Sequence, residues 1–147
     1  MRDVDFARLA GVFGSGAFFG MTVTFTNVIV PPLLTRDLAP RARADFWNVT
    51  YTRVTHQWVP LGLAAAGAYL YAAAKLRSGH LLAAGLSMSA IVPCTLLFVF
   101  PYVRRLKSFL QRDASDDEVK HTLRRWGWWH NTRTLAAGLA FLLGLTA

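Results

Sequence analysis

The sequence predicts an all-α protein, a four-helix transmembrane bundle with both termini on the same side, organised as a single domain over residues 1–147. Three observations predict it. The chain is 54% hydrophobic and only 16% charged, with a mean hydropathy of +0.33, a balance rare in a soluble domain of this size. Its apolar residues gather in four charge-free runs, at 9–35, 58–74, 81–103 and 134–147. Between and at the ends of these runs stand Pro31-Pro32, Pro40, Ser78-Gly79 and Pro101, residues at which helices start, turn or stop.

A helix rises ~1.5 Å per residue, so roughly 20 apolar residues cross the hydrocarbon layer. The first and third runs suffice alone, and the second and fourth must borrow neighbours. The first run is too long for a signal peptide and is followed by a proline pair rather than a small-residue cleavage site, so it reads as a retained span. It is expected to be helical over residues 6–30 and to stop at Pro31-Pro32, which cannot continue the hydrogen-bond ladder. Gly16 and Gly20 mark a stripe for close helix approach, and a step of seven puts Asn27 on it, pointing inward.

The second helix is expected over residues 40–75, with Ser78-Gly79 as the turn after it. That exceeds one span, so its first turns, with Arg41, Arg43 and Asp45, should project among headgroups before the helix enters hydrocarbon near Trp47 to Tyr51. A helical wheel separates two opposite faces: Trp47, Tyr51 and Trp58 on one, and Val49, Arg53, His56 and Pro60 on the other. The third helix should cover residues 80–101 with a kink at Pro93. The fourth begins at Ser115, where Ser115 and Glu118 form a capping box and Asp116 and Asp117 suit the positive end of the helix dipole, and it runs to the C-terminus.

Arg2, Arg8, Lys75 and Arg77 fall at one end of such a bundle. Arg36, Arg41, Arg43, Arg104, Arg105, Lys107, Arg112, Lys120, Arg124 and Arg125 fall at the other. The positive-inside rule therefore makes the helix 1–2 and helix 3–4 loops cytosolic in a multi-pass protein. The same placement argues against nucleic acid as the target of the +8 charge, because basic residues in interhelical connections face lipid headgroups. Cys94 is the sole cysteine, so disulfides, cysteine-only metal sites and dithiol relays are excluded, and no metal site is expected. The partner the sequence names is the lipid bilayer, with a homo-oligomer or larger membrane complex left open.

Only fourteen residues follow Arg133, about 21 Å of helix, so a crossing of ~30 Å must carry Arg133 and His130 into the membrane. Polar groups at that depth are costly unless paired or hydrated, which makes them functional candidates. Trp126, His130, Arg133 and Ala137 share one stripe. Arg133, His130, Arg53, His56 and Asn27 are thus expected around one pocket. Interfacial snorkelling of Arg53 and His56, and an aromatic belt at Trp128 and Trp129, are the plain alternatives. His56 and His130 could instead ligate a haem.

The block Trp126-Gly-Trp-Trp-His130-Asn-Thr-Arg133 resembles the tryptophan, histidine and arginine pattern near the last helix of the anthrone oxygenase family, small four-helix membrane proteins. Trp47, Tyr51, Arg53 and Pro60 resemble its second-helix pattern, and Pro93-Cys94-Thr95-Leu96 with Pro101 and Arg105-Leu106 its third-helix ending. The chain departs at Val103 and at Ile29-Val30, where the family commonly carries asparagine and an acidic or histidine residue. The resemblance implies oxidation of a polycyclic phenolic anthrone, a hydrophobic aromatic small molecule, by O2 without metal or organic cofactor. It casts His130 or His56 as base and Arg133, with Arg53 or Asn27, as stabiliser of the anions. Trp47, Tyr51 and Trp126 would stack on the rings. A noncatalytic membrane subunit or scaffold of the same fold is the alternative, followed by a haem-binding membrane protein.

Overall fold

A computed structural model describes residues 2–147. The described residues form four helices: α1 (Arg2–Thr35), α2 (Pro40–Leu76), α3 (Gly79–Ser108) and α4 (Asp116–Leu145). No strand occurs among the described residues. The first three are long and apolar enough to cross a membrane. The fourth is long enough, at 30 residues or ~45 Å, but its composition is diluted by the charged turns before Trp126 and by the polar stripe beyond. That stripe is buried inside the bundle, and the outward face past it carries Leu135, Leu139, Leu142 and Leu145.

Both termini lie at one end, where Arg8 on α1 donates to the carbonyl of Ala147. At the opposite end Arg43 of α2, only 1% exposed, pairs with Asp116 at the start of α4 and donates to the Arg36 carbonyl at 3.2 Å. Arg43 therefore binds two connections together rather than projecting among headgroups. The predicted cap of α4 forms by half: Ser115 Oγ accepts from the Glu118 N–H at 3.2 Å. The Glu118 carboxylate does not reach back but binds Arg112 at 2.6 Å and Arg105 at 3.2 Å, because two guanidinium groups compete for it.

Helices α1 and α3 do not stop at their prolines. Each opens a single π turn, Phe25–Ile29 before Pro31 and Thr95–Val99 before Pro101. The wider turn is closed by the residue just before the proline, Val30 N–H to the Phe25 carbonyl and Phe100 N–H to the Thr95 carbonyl. Rotating the backbone in this way accommodates a ring that cannot donate, and the helices run on to Thr35 and Ser108. In α3 this turn begins two residues after Pro93, which itself stands inside the preceding helical stretch. At the α2–α3 turn the left-handed position is taken by Arg77, with φ 51°, and Ser78 caps α3 by accepting from the Leu81 N–H.

Small residues set the helix spacings. Gly14 of α1 lies against Ala65 of α2, Gly11 against the Tyr69 ring, and Gly85 of α3 against Leu70. Helices α1 and α4 interlock reciprocally, with Phe141 over Gly16 and Phe19 over Gly138. Gly20 faces outward with open space beside it, so the close-approach stripe of α1 runs through Gly11, Gly14, Ser15, Phe18 and Thr22 instead. The buried core then divides in two. One cluster, with Phe25, Trp47, Tyr51, Val99 and Trp126, fills the loop end, and a second, with Phe18, Ala65, Tyr69, Ala84, Met88 and Ala137, fills the end with the termini.

Candidate functional site

The wheel drawn for α4 holds: Trp126, His130, Arg133 and Ala137 all face inward, at 0%, 2%, 5% and 0% exposure. His130 and Arg133 sit where the two apolar clusters meet. His130 Nδ1 lies 3.1 Å from the Thr26 hydroxyl on the π turn of α1, and its ring rests against Trp126 and Phe25, with centroids 4.6 and 5.9 Å away. The Arg133 guanidinium lies over the Phe18 ring, 5.5 Å from its centroid, with the Tyr51 hydroxyl as a polar neighbour. Its buried Nε has no hydrogen-bond partner. A donor left open inside apolar surroundings is costly, and such a position marks a place where a ligand or water completes the arrangement.

Arg133 is also the one charged residue lining a cleft of about 190 Å³ at the middle of the bundle. Phe18 forms its floor, Tyr51, Thr55, Gly62 and Leu63 of α2 one wall, and Met88, Ile91, Val92, Thr95 and Leu96 of α3 the other. At its rim Val59, Leu63, Val92 and Leu96 are exposed, so the cleft opens sideways between α2 and α3. The helices separate here because the small-residue contact that joins them, Gly85 against Leu70, lies nearer the Ser78 turn. Within the cleft Thr95 is already committed, its hydroxyl donating to the Ile91 carbonyl at 2.6 Å.

Five of the eight residues singled out from the sequence come together: His130, Arg133, Trp47, Tyr51 and Trp126. Asn27, Arg53 and His56 do not join them, because all three are exposed on the outer surface. Asn27 donates to the Val23 carbonyl of its own helix at 3.0 Å. On α2 the two opposite faces cannot both turn inward, and the aromatic face buries far more apolar area, which leaves Arg53 and His56 outside where arginine can reach toward the interface. His56 and His130 therefore do not face one another across a shared space. Among the described residues no three His, Cys, Asp or Glu side chains gather.

The aromatic residues also differ from the open platform expected of them. Tyr51 stacks on Trp47 with centroids 4.8 Å apart and 11° between planes, and both meet Trp126 edge-on at 90° and 80°. Their faces are covered by one another, and only Tyr51 reaches the cleft. Phe18, Thr26, Thr55 and Gly62 were not anticipated. Thr55 and Gly62 had a signal, since they continue the Trp47, Tyr51 and Trp58 face at offsets of four and eleven from Tyr51.

A family model described as anthrone oxygenase matches residues 47–143, which include Trp47, Tyr51, Trp126, His130 and Arg133 but not Phe18 or Thr26. No curated protein and no solved structure matches the chain.

Proposed function

Because this chain belongs to the anthrone oxygenase family, we propose that it is a membrane-embedded oxygenase that oxidises a polycyclic phenolic substrate with O2 and uses neither metal nor organic cofactor. The observation that carries this reading is Arg133, a guanidinium with an unpartnered Nε and the one charge lining a mostly apolar, laterally open cleft. An anthrone is acidic at its methylene carbon and, on losing one proton, becomes an electron-rich anion with much of its charge on oxygen. Opposite charge in a water-poor site stabilises that anion strongly. The anion reduces O2 directly, forming a C–O bond, and loss of water from the resulting hydroperoxide leaves the quinone carbonyl. The sum is one methylene and one O2 in, one carbonyl and one H2O out.

The apolar rim at Val59, Leu63, Val92 and Leu96 suits a flat substrate arriving from the bilayer. The arginine-rich loop end, Arg36 to Arg43 and Arg104 to Arg125, would face the cytosol. His130 supports the site from behind: it does not line the cleft, and it ties α4 to α1 through Thr26. Enclosure of the one buried histidine is also what favours the second reading, a noncatalytic membrane subunit that keeps the fold and binds an aromatic ligand. Oxygen consumption by the purified protein in lipid nanodiscs, supplied with an anthrone, separates the two. The oxygenase consumes one O2 per quinone and places one labelled atom from 18O2 in the product. Ligand binding with oxygen uptake no faster than empty nanodiscs supports the subunit.

A further inference from the structure

We propose that the Tyr51 hydroxyl is the proton carrier of the second half of this reaction, an inference that rests on the oxygenase reading above. The polar groups around the cleft narrow the choice. Four of its lining residues carry a hydroxyl or a charge: Tyr51, Thr55, Thr95 and Arg133. Arginine stays protonated throughout and donates hydrogen bonds without giving up its proton. Thr95 spends its donor on the Ile91 carbonyl. Thr55 is an aliphatic alcohol, too weak an acid to protonate a peroxide anion. A phenol is acidic enough, and Tyr51 is the one phenol on the cleft wall.

Tyr51 is also held for the task. Its ring is stacked on Trp47 and crossed edge-on by Trp126 at 5.8 Å and Phe25 at 6.4 Å, so three aromatic neighbours fix the ring. The residue lines the cleft, with its hydroxyl beside the Arg133 guanidinium.

The step balances with Tyr51 alone. Addition of O2 to the substrate anion gives a peroxide anion on the former methylene carbon. Tyr51 O–H protonates its terminal oxygen, giving the hydroperoxide and tyrosinate. The tyrosinate then removes the remaining hydrogen from that carbon; the C–H electron pair becomes the second bond of the carbonyl, the O–O bond breaks, and hydroxide leaves. Tyrosine is restored, and the hydroxide neutralises the proton that the acidic methylene released to water when the substrate anion formed.

The test is Tyr51→Phe, which keeps the ring, its stack on Trp47 and the cleft volume. Oxygen uptake and quinone formation are followed in nanodiscs with an anthrone protonated or deuterated at the methylene, and anthraquinone binding is measured alongside. Expected are a fall in kcat of about 10²–10⁴-fold, unchanged anthraquinone affinity, and hydroperoxide detectable by mass spectrometry. A larger deuterium isotope effect on quinone formation should accompany them, because the second C–H cleavage then limits the rate. Tyr51 replaced by a ring-fluorinated tyrosine retains the hydroxyl and should turn over with its pH profile displaced to lower pH. Turnover by the phenylalanine variant within threefold of wild type overturns the inference and leaves the oxygenase reading standing. Loss of activity together with loss of anthraquinone binding, or an unmoved pH profile in the fluorinated protein, assigns Tyr51 a structural role and also overturns it. Wild-type protein that consumes no oxygen overturns both.

Discussion

Replacing Arg133 by methionine should move activity and stability in opposite directions. The guanidinium is 5% exposed, lies on the Phe18 ring and leaves Nε without a partner, so the folded state carries a desolvated charge that protein groups only partly satisfy. Methionine has a similar reach, fills the same space and requires no partner. Exchanging buried ionic groups for apolar ones of similar volume is neutral or stabilising by about 1–4 kcal/mol, so the melting temperature in detergent should stay level or rise. Loss of a preorganised donor aimed at developing negative charge costs ~10²–10³ in kcat, about 2.7–4 kcal/mol. Oxygen uptake with an anthrone and differential scanning fluorimetry on the same preparation read both quantities. Arg133→Lys keeps a charge but neither the reach nor the planar fork, and belongs between the two. Turnover of the methionine variant within threefold of wild type, or a clear drop in its melting temperature, would refute the reasoning: the first removes Arg133 from the chemistry, and the second makes it a lock between helices.

Three other outcomes are expected. Gly14→Ala brings its Cβ to 2.8 Å from that of Ala65, an atom fixed to the backbone of α2, and should destabilise the bundle by about 1–3 kcal/mol. At Gly20 nothing lies within 4 Å and the same change should be neutral or favourable, so equal unfolding midpoints for the two variants would contradict the packing described. His130→Gln, which can still hydrogen-bond Thr26, should keep more than a tenth of wild-type oxygen uptake, whereas a hundredfold loss would restore His130 as the base. Glu118, held below the usual carboxylate range by the Arg112 hydrogen bond and to a lesser extent by Arg105, stabilises the loop end above the pKa of its unfolded state, and this is lost as pH falls through its lowered folded value. Thermal scans across acidic pH at low salt should show that dependence shrink in Glu118→Gln; an identical slope in both proteins would argue against it.

Much of the fold was legible because the bilayer is a severe solvent. Residues that keep backbone donors satisfied and charges out of hydrocarbon have to form apolar helices about one membrane thick, and three of the four helices are long and apolar enough to do so. The stripe of Trp126, His130, Arg133 and Ala137 was legible from helical spacing, since offsets of four, seven and eleven return to one face, and that face is buried. Asn27 was misplaced because spacing alone made Gly16 and Gly20 a packing stripe, when the neighbours of Gly20 are empty space. Arg53 and His56 were misplaced because a wheel separates faces without saying which one turns in. The continuation of α1 and α3 past their prolines was hidden as well, because one residue of extra turn changes no letter of the sequence.

The sequence by itself determined the number of helices, the end at which the termini meet and the stripe of α4 that turns inward, all of them consequences of apolar patterning, helical period and the cost of taking polar groups out of water. Only the tertiary structure decided that Tyr51 stacks on Trp47 while lining the cleft, that His130 rests against Thr26 behind the cleft, and that the opening lies between α2 and α3. Those features depend on which side chains from different helices occupy the same space, and steric exclusion between distant segments leaves no periodic trace along the chain.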